Sequence, residues 1–356
     1  MGLNRLIRST ANYSFYDEAA SRPKFYSLGE EGFRLPRVIW RYGGKGYSYY
    51  LYEPYIRKMA EMTGARVFID CFGGGGSITM AALHMEDKNY RPIFDKVIYN
   101  DLDIGVVSMF GVVKNPDTCN ELVDRILKTS YCRDAYDEAH TIMQATNNLG
   151  PYSEELLKAL SPVDLAYYTF IETSMSFNAA GRNFRDIDHN EFNTVDSERR
   201  MYRAAIKLLE LPPFLSRVEV YNASYEKMIE MQQLSEDVSI LFLDPPYTRD
   251  SRAINAENSY TKEFSDQQHL EMIKRLTGYT KDRIRVHQGI DHWMVCGYDK
   301  ISKQKREEGE TEYENIYQIF DFDKDVKKIN LGAQYRRSSL KETREDDPEE
   351  ILWLRW

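Results

Sequence analysis

The sequence predicts an α/β chain built on a doubly wound, mostly parallel sheet, interrupted by a helical insertion and closed by an antiparallel hairpin at its carboxyl edge. Three observations carry this. From Ala65 the run ARVFIDCF ends in four glycines and passes into SITMAALHM, which reads as buried strand, glycine turn and helix. DKVIYNDLD and IGVVSMFGVV repeat that order, so the two strands are parallel. After residue 217 strand signals resume in SRVEVYNASYEKMIEM, VSILFLDPPY and HWMVCGYD, which completes the same sheet.

Taken in order, residues 1–35 form an amino-terminal arm without a clear period, followed by a strand-like run at Arg37–Trp40. Residues 36–114 and 218–356 then make one sheet domain, and 115–217 make an inserted helical subdomain, because segments such as TCNELVDRILKTSYCRDAYDEAHTIMQA carry helical rather than strand patterning. Near the end, EYENIYQIFDFDK, KKINLGAQYRRSS and EEILWLRW alternate in hydrophobicity and predict the edge hairpin. KQKREEGETE and KETREDDPEE read as charged, solvated connections.

Composition excludes several classes. With 42% hydrophobic and 13% aromatic residues the chain is not wholesale disordered. No uninterrupted apolar stretch approaches the ~18 residues of a membrane span, so a soluble cytoplasmic protein with no membrane partner is expected. Cys71, Cys119, Cys132 and Cys296 lack CxxC or Cys/His ligand spacing, so neither a disulfide framework nor a metal site is expected. The net charge of -9 argues against a uniformly basic nucleic-acid coat and leaves room for a local basic groove.

Two constellations carry chemistry. Phe72-Gly73-Gly74-Gly75-Gly76-Ser77 sits at a strand-to-helix turn, where glycines let a ligand approach the backbone. Asp101 closes the next strand, where an acid can accept from both ribose hydroxyls, so the pair suits an adenosine-containing cofactor. No GxxxxGK[ST] is present, which turns the reading away from a nucleotide triphosphate. The second constellation, Asp244-Pro245-Pro246-Tyr247, follows the apolar strand ILFL. Two prolines force the chain out of the sheet rigidly, at the carboxyl edge where such sheets bind ligands. The Asp244 carboxylate and the Pro245 carbonyl can each accept one N–H of an exocyclic amine, while the Tyr247 ring stacks on a flat base.

With both constellations in one sheet, the chain from about Trp40 to Trp356 resembles the Dam-type N6-adenine DNA methyltransferases. The resemblance implies a Rossmann-like methyltransferase sheet of seven strands, a cofactor, S-adenosyl-L-methionine, and methyl transfer to N6 of an adenine flipped out of double-stranded DNA. By it, Phe72, Gly74, Gly76 and Ser77 correspond to the FxGxGS cofactor loop, Asp101 to the ribose-binding acid, and Asp244, Pro245, Pro246 and Tyr247 to the catalytic DPPY, with Asp244 also beside the cofactor. Arg41-Tyr42-Gly43-Gly44-Lys45 resembles the motif that contacts the methionine end of the cofactor, giving Tyr42 and Lys45 that role. The family usually has one residue between its aromatic and the GGK, so here either Tyr42 has moved next to Gly43 or Arg41 stands in the aromatic's place. In Val218–Tyr225, where relatives often carry an acid able to reach the cofactor adenine, this chain has Asn222, whose side-chain carbonyl can accept from an amine. SMSFNAAGRNFR resembles the stretch ahead of the recognition loop, and YRRSSL with EEILWLRW resembles the closing strands.

A third feature is basic. Arg199, Arg203 and Lys207 recur at i, i+4, i+8 on a helix expected from about Asp196, with Arg182 and Arg185 upstream; one such face suits DNA phosphates. A solvated helix paired to its own acids is the competing explanation. His269 and His292 read as isolated core or surface histidines. The expected protein is therefore a site-specific adenine methyltransferase of a bacterial or phage-infected cell, monomeric or weakly dimeric, with a restriction endonuclease as a candidate partner. Transfer to an RNA adenine, another group added at the same amine, and a non-catalytic DNA-binding relative are the alternatives.

Overall fold

The computed structural model describes residues 35–40, 45, 48–147, 151–179, 181–185, 191–248, 251, 263–298, 316–333 and 349–356. Most of the arm, Tyr42 with its Gly43-Gly44, the stretch 335–340 and nearly all of the two charged connections lie outside them.

Four strands are parallel: β1 (Val67–Asp70), β2 (Lys96–Asn100), β3 (Val218–Tyr221) and β4 (Ser239–Leu243), and β5 (Trp293–Tyr298) joins β4 in the same direction. β6 (Lys327–Ala333) and β7 (Glu349–Arg355) form the antiparallel edge, with β7 inserted between β5 and β6. The order across the sheet is β3-β2-β1-β4-β5-β7-β6, so the chain reverses its direction of travel between β1 and β4. The carboxyl ends flanking such a reversal are where an open α/β sheet binds ligands. Both constellations sit there.

β1, β4 and β5 are buried along their whole length, as strands covered on both faces must be. Alternation assigns their side chains to two cores. Phe68, Tyr99, Phe242, Cys296, Leu352 and Leu354 face α1 (Tyr49–Thr63), α2 (Ser77–His84) and α3 (Ile104–Lys114). Ile69, Ile98, Leu243, Val295 and Trp353 face the opposite layer.

Local signals set the helix ends. Asp103 caps α3 by accepting from the Gly105 amide at 2.9 Å. Asn115 and Pro116 start α4 (Pro116–Leu127), after which come α5 (Arg133–Asn147) and α6 (Pro151–Ala159). Ser161, Pro162 and Asp164 open α7 (Pro162–Met175) with a capping box. α8 (Glu191–Leu208) and the single turn α9 (Pro212–Leu215) lead into β3. α7, α4 and α9 pack on α3, and buried side chains of this block, among them Leu122, Phe170, Ile171 and Leu208, belong to the same apolar cluster as Phe68 and Phe242. The helical block thus shares its core with one face of the sheet.

On the other face lie α10 (Tyr225–Leu234) and α11 (Asp266–Thr277), the latter closed by Gly278 in the left-handed region at φ 81°. A Cβ at Gly278 would meet the His287 carbonyl oxygen at 2.0 Å, so only glycine fits.

Three sequence expectations need correction. Arg37–Trp40 is not a strand: the adjacent Val38 and Ile39 are both buried, and the Arg37 guanidinium lies 4.0 Å from the Trp40 ring centre, which alternation would not allow. The run EYENIYQIFDFDK yields a 3₁₀-helix at Ile316–Phe322, because Tyr317 and Phe320, three apart, both insert against Trp353. The basic helix begins at Glu191, not near Asp196.

Candidate active site

The turn after β1 is shaped by aromatic rings beneath it. Tyr99 and Phe110 stack with centroids 3.8 Å apart, and a Cβ at Gly73 would lie 2.2 Å from Tyr99, one at Gly76 2.0 Å from Phe110. Two of the four glycines are therefore required by internal packing. Gly74 is different: its φ is 49°, and a Cβ built on it would meet no atom within 4 Å. Open space at a left-handed glycine is the form a ligand-approach position takes.

Asp101 closes the turn. Its carboxylate accepts from the Gly74 amide at 2.8 Å through one oxygen and from the Asp103 amide at 2.8 Å through the other. Each oxygen has further lone-pair capacity, so the acid is oriented by backbone and able to accept from hydroxyls. The Asn222 amide nitrogen donates to the Asp101 carbonyl at 2.8 Å, which leaves the amide oxygen for an amine. Phe72 stacks on Tyr225 at 5.9 Å and meets Phe264 edge-on at 5.5 Å. Ser77 is the first residue of α2. Glycine cradle, oriented acid, aromatic wall and free acceptor together fit a nucleoside.

Asp70, not singled out from sequence, ends β1 in register with Tyr99 and Phe242. Burial raises its carboxyl to about 7, against the Thr79 hydroxyl that donates to it at 2.7 Å, and the neighbouring Asp244 and Asp101 push it the same way as burial.

At the end of β4, Asp244-Pro245-Pro246-Tyr247 leaves the sheet, as two prolines require. Asp244 keeps 19% side-chain exposure and lies 3.3 Å from the Lys45 ammonium. That ammonium is buried, lies 2.5 Å from Glu350 Oε1, and also bonds the Tyr247 hydroxyl. Tyr247 donates to Glu350 Oε1 at 2.9 Å, and Tyr52 of α1 donates to the same oxygen. The Tyr247 ring packs edge-on against Tyr298, centroids 4.6 Å apart. Burial opposes the charge on Lys45, yet the carboxylates of Asp244 and Glu350 outweigh it and hold the ammonium well above its ordinary range. Burial raises Asp244, countered by Lys45 and reinforced by Glu350. Burial, Asp244 and Glu350 keep the Tyr247 hydroxyl protonated. Asp244, Cys296 and Glu350 bring ligand-type atoms within 4.8 Å of one another, and the cation bridging the two carboxylates is Lys45.

Lys45, expected from the resemblance at the methionine end of the cofactor, contacts Asp244 and Tyr247 of the DPPY hook. Glu350, Tyr52 and Tyr298 escaped sequence reasoning; the only cue was an acid at the head of the apolar run ILWL. His269 is a buried core residue bonded through Nδ1 to the Tyr317 hydroxyl at 2.9 Å.

The basic residues lie apart from this cluster. Arg199, Arg203 and Lys207 are exposed, opposite the buried Met201, Ala205 and Leu208 of α8, whereas Arg200 pairs with Asp196 at 2.6 Å. Among the described residues, no ion pair joins Arg199 or Arg203 to an acid. Arg182 and Arg185 are exposed in a loop pinned by the Arg185 amide to the Met175 carbonyl at 2.7 Å, and by the Tyr136 hydroxyl to the Gly181 carbonyl.

No curated protein matches the chain closely enough to count as a relative. The model of one family, described as D12 class N6 adenine-specific DNA methyltransferase, matches residues 51–318, most of the chain. That segment contains the glycine turn, Asp101 and the Asp244–Tyr247 hook, while Lys45 and Glu350 lie outside it. The match takes in more than half of the chain, and the chain belongs to the D12 class of N6 adenine-specific DNA methyltransferases.

Proposed function

We propose that the chain moves the methyl group of S-adenosyl-L-methionine to N6 of an adenine extruded from double-stranded DNA, using Asp244, Pro245 and Tyr247 on the base and the Phe72–Ser77 turn with Asp101 and Asn222 on the cofactor. As a family member it acts on DNA and draws on a methyl donor. The observation that carries the finer reading is the opposition of two sites across the β1/β4 switch point: an oriented ribose acceptor at Asp101 and an ion-paired amine acceptor at Asp244.

The donor supplies an electrophilic methyl group. Asp244 and the Pro245 carbonyl accept the two N6 hydrogens and turn the nitrogen lone pair away from conjugation with the ring. Asp244 would also take up the one proton that N6 must give up on being methylated. Tyr247 stays protonated and offers its ring, not a proton. Residues 115–217 would read the target, with Arg182, Arg185, Arg199, Arg203 and Lys207 on phosphates.

The test is incubation with S-adenosyl-L-methionine labelled in its methyl group and duplex DNA, single-stranded DNA or RNA, followed by nucleoside analysis. Label in N6-methyldeoxyadenosine from the duplex supports the reading. Label confined to RNA, or to cytosine, would overturn it.

A further inference from the structure

Glu350 is 1% exposed and opens the inner face of β7, opposite Tyr298 of β5. One of its oxygens receives three donors: Lys45 at 2.5 Å, Tyr247 at 2.9 Å and Tyr52. A buried carboxylate is rarely retained for stability, since well-packed apolar residues in its place are often as stable or more so. The asymmetry of the ion pairs suggests its use. Lys45 sits 2.5 Å from Glu350 and 3.3 Å from Asp244, so the acid that faces the substrate is the one held less closely. Without Glu350, the ammonium would close on Asp244 and occupy the oxygens an amine must reach.

We propose that Glu350 is a positioning residue for methyl transfer, acting through two others: it draws the Lys45 ammonium partly off Asp244 and fixes the Tyr247 ring by its hydroxyl. This rests on the adenine N6 reading above. The titratable groups facing Asp244 are Lys45 and Tyr52 from the α1 side, Tyr247 after β4, Cys296 on β5, Glu350 on β7 and Asp70 on β1. Burial first, then neighbouring carboxylates, hold Tyr247 and Cys296 well above their ordinary ranges; Tyr52 is raised chiefly by burial, against Lys45. The acidic limb of turnover therefore reports Asp244 with its neighbour Asp70.

The experiment measures kcat, KM for DNA and for the methyl donor, and the pH profile of kcat, in wild type, Glu350→Gln, Glu350→Asp, Lys45→Met and the Lys45→Met/Glu350→Gln double variant. Glu350→Gln should lower kcat about tenfold or more with both KM values within about threefold. Its acidic limb should move to lower pH, because a negative neighbour of Asp244 is gone. Glu350→Asp should return that limb to its wild-type position, and the double variant should be no slower than the slower single, since both act on one arrangement. An active wild type with Glu350→Gln unchanged in kcat and in its acidic limb, or with the two single effects multiplying, overturns the role of Glu350 alone. A wild type that leaves adenine unmodified overturns the functional reading and this role with it.

Discussion

The Tyr247 hydroxyl donates to Glu350 Oε1 at 2.9 Å, joining the hook after β4 to the head of the last strand, 103 positions away in sequence. The ring that would face a flat base is thus held from behind by its own oxygen and from the side by Tyr298.

Removing that oxygen should cost less than removing the ring. A hydrogen bond to a charged acceptor contributes roughly 1.5–3 kcal/mol, and a base-stacking ring about 1–3 kcal/mol by truncation. Tyr247→Phe should stay within about tenfold to a hundredfold of wild-type kcat/KM, Tyr247→Trp should retain measurable turnover, and Tyr247→Ala should lie at least another tenfold lower. Steady-state methylation kinetics decide it; Phe as damaging as Ala would show that the hydroxyl, not the ring, carries the reaction.

Asp101 should hold the donor through its ribose. Asp101→Ala removes charge-assisted hydrogen bonds and also releases the Gly74 and Asp103 amides, so donor affinity should fall about tenfold or more in a folded chain. Calorimetric titration checks this, and unchanged affinity would discard the assignment.

Asp70 links stability to pH. Its folded carboxyl titrates at about 7, above the ordinary 3.8, so the native state binds the extra proton between those values. Stability therefore falls as pH rises from about 4 to 7, and the penalty is complete above 7. Asp70→Asn, which can still accept from Thr79, should match wild type below pH 4 and exceed it by on the order of a few kcal/mol at pH 8. Denaturant unfolding across that range tests it; a constant difference at every pH would contradict it.

The exposed face of α8 should contribute charge to DNA binding. Arg203→Ala and Lys207→Ala should each lower the slope of log affinity against log salt by about 0.9, equally for cognate and random duplexes. Unchanged slopes would leave the face as solvated surface.

Legibility in the sequence followed the range of the interactions. The parallel core could be read because each of its strands is a short apolar run and each turn carries its own punctuation: four glycines after β1, an acid after β2, two prolines after β4. The edge hairpin was legible from alternation. Arg37–Trp40 misled because three consecutive apolar and aromatic residues after an arginine suit a strand as well as an irregular segment that buries two neighbours. The 3₁₀-helix at Ile316–Phe322 misled because its aromatic spacing answers to Trp353, which lies far along the chain. At the site, Asp101 and the DPPY hook announce themselves locally. The Lys45–Glu350 pair spans 305 positions, and Glu350 stands in its strand as the second of two acids before ILWL, so only the antiparallel docking of β7 on β5 could reveal it.

The most direct measurement is methyl incorporation and DNA binding by Asp244→Ala, side by side with wild type. On the mechanism proposed above the carboxylate serves the transition state and not the holding of DNA, so N6-methyladenine should fall below detection while duplex affinity stays equal or rises, a negative charge having been removed beside a polyanion. Adenine methylated by Asp244→Ala at near the wild-type rate would contradict the mechanism at its centre.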